Sequence, residues 1–122
     1  MNDSKIQSYR DLVVWQKSTQ LVVVIYKLTE QFPKTELWGL TSQMKRASVS
    51  VPSNIAEGKM RGTRKDYRHF LLNAFGSGAE LETQIEISKQ LLFGQPVNYR
   101  EADKLLEEVM KMLNALIKKL DT

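Results

Sequence analysis

Between Ala102 and Leu120 the chain repeats a single pattern. Ala102, Leu105, Leu106, Val109, Met112, Leu113, Leu116, Ile117 and Leu120 recur at steps of three and four residues, the spacing that stacks side chains along one face of an α-helix. Such a helix cannot stand alone in water, because its apolar stripe has to be buried against other elements. The turn Gly94-Gln95-Pro96 precedes it. Asn98 is placed as an N-cap, with Glu101 three residues on as in a capping box.

Three further segments supply partners. From about residue 64 to 93, Phe70, Leu71, Ala74, Phe75, Gly78, Leu81, Ile85, Ser88 and Leu92 share a face, and Thr63 can cap the start with Asp66 at the third position. Gly76 and Gly78 each cost about 1 kcal/mol against alanine inside a helix. With Ala74, Ser77 and Ala79 they form a run of small residues, which suits either close approach of another backbone or a local helix irregularity. From about residue 11 to 32 the run Val22-Val23-Val24-Ile25-Tyr26 would suit a strand by itself. Its flanks, Trp15-Gln16-Lys17 and Lys27-Leu28, favour a helix ending before Pro33. Its apolar residues form two stripes, Trp15, Val22, Ile25 and Phe32 on one, Leu21, Val24 and Leu28 on the other. The second stripe fits a subunit interface or a broad groove within the chain. From about residue 35 to 58, Leu37, Leu40, Thr41, Met44, Ala47, Ser48, Val51 and Ile55 fall together. Pro52 lacks an N–H for the Ser48 carbonyl and crowds it, which predicts a kink, or a break with a restart capped by Asn54 and Glu57. Gly58 is the expected terminator. The reading is an all-α, antiparallel, up-down four-helix bundle in one domain, 1–122, with helices at about 11–32, 35–58, 64–93 and 98–120.

Composition narrows the function more than it names it. The absence of cysteine excludes disulfides, thiol catalysis and thiolate metal sites. The longest apolar run, Leu21 to Tyr26, is far short of the ~20 residues of a membrane helix. The first residues, MNDSKIQSYRD, have no apolar signal-peptide core, so a cytoplasmic location and no membrane partner are expected. His69 is the only histidine, and without a second histidine or a cysteine it makes a poor zinc site. Asp66 and His69 would be half of a di-iron motif that needs two copies. No nucleophile elbow or Gly-rich phosphate loop is present. Glu57 reads as a structural pair or cap, and Trp15 and Trp38 as core or interface. No catalytic residue, metal or cofactor is expected, and the protein is not expected to be an enzyme.

Charge is concentrated in the middle. Residues 1–32 carry net +1, 33–69 net +5 and 70–122 net −2. Lys59, Arg61, Arg64, Lys65 and Arg68 crowd the start of the third helix, with Lys45 and Arg46 on the helix before. Cations at a helix N-terminus are unfavourable by about 0.3–1 kcal/mol each when exposed. A phosphate would reverse that sign, which points to nucleic-acid backbone contacts without sequence readout. Alternatively the side chains extend into water, or Arg64 and Arg68 reach Asp66 or Glu57.

The string Gly39 to Gly58, GLTSQMKRASVSVPSNIAEG, together with Arg10-Asp11-Leu12, Val14-Trp15-Gln16-Lys17, Phe32-Pro33, Glu36, Phe70-Leu71 and Ala79-Glu80-Leu81-Glu82-Thr83-Gln84, resembles the four-helix-bundle proteins encoded by intervening sequences of bacterial 23S rRNA genes. The accessory variability determinants of diversity-generating retroelements are relatives of that family. The resemblance covers nearly the whole chain. Gly78 departs from it, standing where a larger apolar residue is usual, and Met60-Arg61-Gly62 lies in a variable loop. The resemblance implies a four-helix bundle that assembles as a homo-oligomer, a pentameric barrel, and, through the retroelement relatives, a basic surface suited to RNA or DNA. In the retroelement relatives it also implies a reverse transcriptase as protein partner. The resulting expectation is a non-enzymatic oligomeric bundle that binds nucleic acid, and the alternative is a structural adaptor for a protein. Trp15, Leu21, Val24, Leu28, Gly76 and Gly78 are the candidate oligomer interface.

Overall fold

A computed structural model describes residues 8–121; the apolar-poor stretch 1–7 lies outside the described residues. Four helices follow in order: α1 (Val13–Thr29), α2 (Leu40–Arg61), α3 (Arg64–Gln90) and α4 (Pro96–Asp121). Short 3-10 turns at Tyr9–Asp11 and Lys34–Glu36 lead into α1 and towards α2. Links across the bundle fix the directions. Lys17 of α1 meets Glu108 of α4, and Gln31 just after α1 meets Asn98. Lys89 meets Asp103 and Arg64 meets the Lys119 carbonyl between α3 and α4, and Ser50 meets Ser77 and Gly58 meets Phe70 between α2 and α3. The helices therefore run up and down, each antiparallel to the next.

The valine-rich run of α1 is helical. Leu21, Ile25 and Leu28 are fully buried and Val24 nearly so, with Val23 left in solvent. The second stripe is absorbed because α1 packs between α2 and α4, while of the first Ile25 and Phe32 are buried and Trp15 and Val22 half-buried. One core layer gathers Leu21, Ile25, Leu28, Met44, Leu81 and Leu106, and a second gathers Val51, Ile55, Leu71, Val109 and Leu113, with Met110 packed against both.

α2 runs unbroken through Pro52, so the predicted break and restart do not occur. Proline removes one ladder bond, which a helix buried along Ala47, Val51 and Ile55 can lose without parting. Asn54 does not cap a new helix. Its amide donates back to the Ser50 carbonyl at 2.8 Å and to Ser50 Oγ at 2.9 Å. Ser50 Oγ in turn lies 2.8 Å from Ser77 Oγ on α3. Gly58 is not the stop either: the helix ends at Gly62, which is left-handed at φ 84°. Gly58 instead lets α3 come close, since a Cβ there would lie 2.7 Å from Phe70 Cβ.

The other termini differ from expectation for local reasons. α1 ends at Thr29, whose hydroxyl donates to the Ile25 carbonyl at 2.9 Å. α3 ends at Gln90, where Phe93 N–H bonds the Ser88 carbonyl and Leu92 N–H that of Lys89, both at 3.0 Å. This is a Schellman closure with leucine, not glycine, in the left-handed position, at φ 63°. α4 begins at Pro96, a residue suited to the first helical position. Asn98 is thus inside the helix and accepts from Gln31 Nε2 at 2.7 Å instead of capping.

Candidate nucleic-acid interface

At one end of the bundle the C-terminus of α2, the N-terminus of α3 and the C-terminus of α4 come together. Gly62 and Thr63 are the whole connection between α2 and α3. Thr63 caps α3 as expected, its hydroxyl accepting from Asp66 N–H at 3.1 Å. Arg64 and Arg68 then turn to α4. Arg64 Nη2 donates to the Lys119 carbonyl at 2.8 Å, and Arg68 Nε to the Ile117 carbonyl at 3.3 Å. Arg68 Nη2 also lies 3.5 Å from Asp121 Oδ1.

The Lys119 carbonyl is one that the last turn of a helix leaves without an internal partner, and the Ile117 carbonyl lies just before that turn. The antiparallel packing of α3 on α4 sets the positive end of one beside the negative end of the other. The two arginines that looked misplaced at the start of α3 therefore already have a protein partner. They do not pair with Glu57, which holds Arg61 at 3.0 Å. Arg64 and Lys119 are 55 positions apart in the chain, so no local pattern could disclose the contact.

The remaining cations face outward. Arg61 lies with its guanidinium 4.9 Å from the Phe70 ring centre, and Lys59 with its ammonium 5.4 Å from that of Tyr67. Lys65 is exposed and makes no ion pair among the described residues. Lys118 and Lys119, exposed on the last turn of α4, join the same end, an addition that the central basic segment gives no hint of. Tyr67 is half-buried, and burial raises its phenol pKa. It serves as packing beneath Lys59, not as a free aromatic face.

Lys45 and Arg46 belong to a different place. Fourteen helical residues before Lys59, Lys45 lies about 20 Å along α2 from that end, its ammonium 4.7 Å from the Tyr26 ring centre. The seven basic candidates are thus two groups. Trp38 accompanies the second group and is 88% exposed, so it is not core. Its position just outside α2, before Gly39, carries it off the apolar stripe.

The candidate interface residues also divide. Leu21, Val24 and Leu28 are interior to the chain and offer no surface to a partner. Gly78 is covered by Met110, whose sulfur occupies the space a Cβ would take. Gly76 faces open space. Trp15 is half-buried, with Tyr9 edge-on at 5.3 Å and Arg10 over it at 5.8 Å. Among the described residues no group of three or more His, Asp or Glu could hold a metal, and no helix is long and apolar enough to cross a membrane.

A comparison with curated proteins found no match. The model of one protein family, the 23S rRNA-intervening sequence protein, matches residues 10–115. That stretch runs from the turn before α1 to the last turns of α4, and the chain belongs to this family.

Proposed function

We propose that the protein is a non-enzymatic, cytoplasmic nucleic-acid-binding bundle that grips the backbone of RNA or DNA with the basic end formed by α2, α3 and α4. What carries the reading is the convergence there of Lys59, Arg61, Lys65, Lys118 and Lys119, with Arg64 and Arg68 held in place behind them by α4. Glu57, Asp66 and Asp121 are the opposing acids. A cationic surface of this kind releases counterions from a polynucleotide and binds without regard to sequence. The test is anisotropy of labelled duplex RNA and duplex DNA over a salt series. Log affinity falls linearly with log salt, and a combined Arg61→Ala, Lys65→Ala, Lys118→Ala variant lowers the slope by about 2–3. A salt-insensitive affinity, or a variant that binds as the parent does, would falsify the reading. Arg64 and Arg68 are left intact because their loss would also disturb α4.

A second reading, self-association or another protein partner, is favoured by the α3–α4 face. A groove of about 1020 Å³ runs there, floored by Ile85, Leu106 and Met110 and edged by Glu82, Glu86 and Glu107. Ile87 beside it, and Leu91, Leu92 and Val97 at the turn between the helices, are exposed apolar side chains, the kind of surface a partner covers. The homo-oligomer, a pentamer by resemblance, would use this face and open Gly76 in place of the interior of α1. Light scattering at micromolar concentration tests the self-association: a well-folded monomer removes it and leaves the first reading standing.

A further inference from the structure

Trp38 lies at the other end of the bundle from the basic convergence, about 30 Å away along α2. It is the most exposed large apolar side chain of the described residues. The 3-10 turn Lys34–Glu36 and the cap Gly39 hold it clear of the core. A cleft opens on each side of it. The one towards α1, about 430 Å³, is lined by Tyr26, Leu37, Thr41, Lys45 and Val49. The one towards α3, about 460 Å³, is lined by Ser42, Gln43, Ser50, Ser77 and Glu80. Arg46 borders both, is exposed, and makes no ion pair among the described residues. Lys45 is held by the face of Tyr26, not by a carboxylate. Glu80 is the single acid of the two clefts.

We infer that this surface binds single-stranded polynucleotide, with a base stacked on Trp38 and the flanking phosphates met by Lys45 and Arg46. The inference rests on the nucleic-acid reading above and adds a second site of different selectivity. A free aromatic face between cations is what single strands use, because every base has a π-face and every linkage a negative charge. The apolar cleft suits the base. The hydroxyl of Ser42 and the amide of Gln43 suit sugar and phosphate oxygens. A duplex keeps its bases inside and reaches only the cations. The charge balance favours this occupant over a protein, which would have to bring its own acids to Arg46 and Lys45.

The test uses a Trp15→Phe background, so that Trp38 is the sole tryptophan, with labelled oligo(U), oligo(dT) and a mixed-sequence duplex. Tryptophan emission and probe anisotropy are read together. The expected result is quenching of Trp38 that saturates with single-strand binding. Trp38→Ala should weaken single-strand affinity about five- to hundredfold, with Trp38→Phe retaining most of it, and change duplex affinity less than about twofold. A preference between oligo(U) and oligo(dT) supports the site with the sugar or the thymine methyl read as well; equal binding of both supports stacking alone. Saturating anisotropy with unmoved emission, or an unweakened Trp38→Ala, overturns this site and leaves the basic end standing. No binding of any probe at low salt overturns both. Shielding of Trp38 from acrylamide in the protein alone, with blue-shifted emission, overturns it in favour of a protein contact.

Discussion

Substituting alanine for Gly58 and for Gly76 should move stability in opposite directions. Both glycines lie inside helices, so each costs about 1 kcal/mol against alanine by propensity. At Gly76 a Cβ would meet nothing within 4 Å, and Gly76→Ala should gain about that amount. At Gly58 the new Cβ would stand 2.7 Å from Phe70 Cβ and 3.3 Å from both the ring and the carbonyl of Tyr67. Carbon atoms settle at about 3.5–4 Å, and Phe70 Cβ is fixed to the α3 backbone, so it cannot swing aside. The two helices must part by most of an ångström. Overpacking of this kind costs about 1–3 kcal/mol. The propensity gain offsets about 1 of it, leaving a loss of up to about 2 kcal/mol, and Gly58→Val adds more. Urea unfolding followed by circular dichroism at 222 nm measures both, and thermal midpoints should shift by about 3–6 °C for each kcal/mol. A Gly58→Ala protein as stable as the parent would refute the claim that glycine is there for the α2–α3 approach. A destabilised Gly76→Ala would show that a neighbouring copy packs where this chain leaves space.

Other expectations are equally direct. Leu92→Gly should stabilise by about 1 kcal/mol in the same assay, because leucine holds the left-handed position at φ 63° and is 87% exposed, so almost no packing is lost. Arg64→Ala and Arg68→Ala should each cost about 0.5–1 kcal/mol and speed amide exchange in the last turn of α4, whose carbonyls they occupy; exchange unchanged at residues 117–121 argues against the cap. Tyr99→Phe should cost about 1–2 kcal/mol, since its hydroxyl reaches both the Phe93 carbonyl at 2.6 Å and Ser88 Oγ at 2.8 Å at the α3–α4 turn. Burial raises the phenol pKa of Tyr67 and of Tyr99 above the ordinary 10.0. The unfolded chain then loses those protons first, so stability is intact below about pH 10 and falls as pH rises through the folded pKa. Alkaline urea titrations should show that slope, and Tyr67→Phe should flatten it.

The four helices were legible because burial imposes a period on the sequence. The α4 heptads, the stripe Met44, Ala47, Val51, Ile55 and the Thr63 cap each state their role within a few residues. The helix ends were less so. Pro52 and Gly58 have strong local preferences, for a break and a stop, that the packing of α2 against α3 overrides. The same α2–α3 contact turns Gly58 from a terminator into a point of close approach.

The candidate site was legible only as composition. Sequence counted the cations of residues 59–68 but could not tell free ones from engaged ones, since the partners of Arg64 and Arg68 lie on α4. Nor could it join Lys118 and Lys119 to the same end, or separate Lys45 and Arg46 from it. The two-stripe α1 was equally open to a partner or to the chain itself until its position between α2 and α4 decided it. Hydrophobic period is a property of near neighbours along the chain, so the sequence alone determines a family and four amphipathic helices. Which charges are spent, and which of Trp15 and Trp38 stands in solvent, depends on residues brought together from far apart, and only the packed bundle settles that.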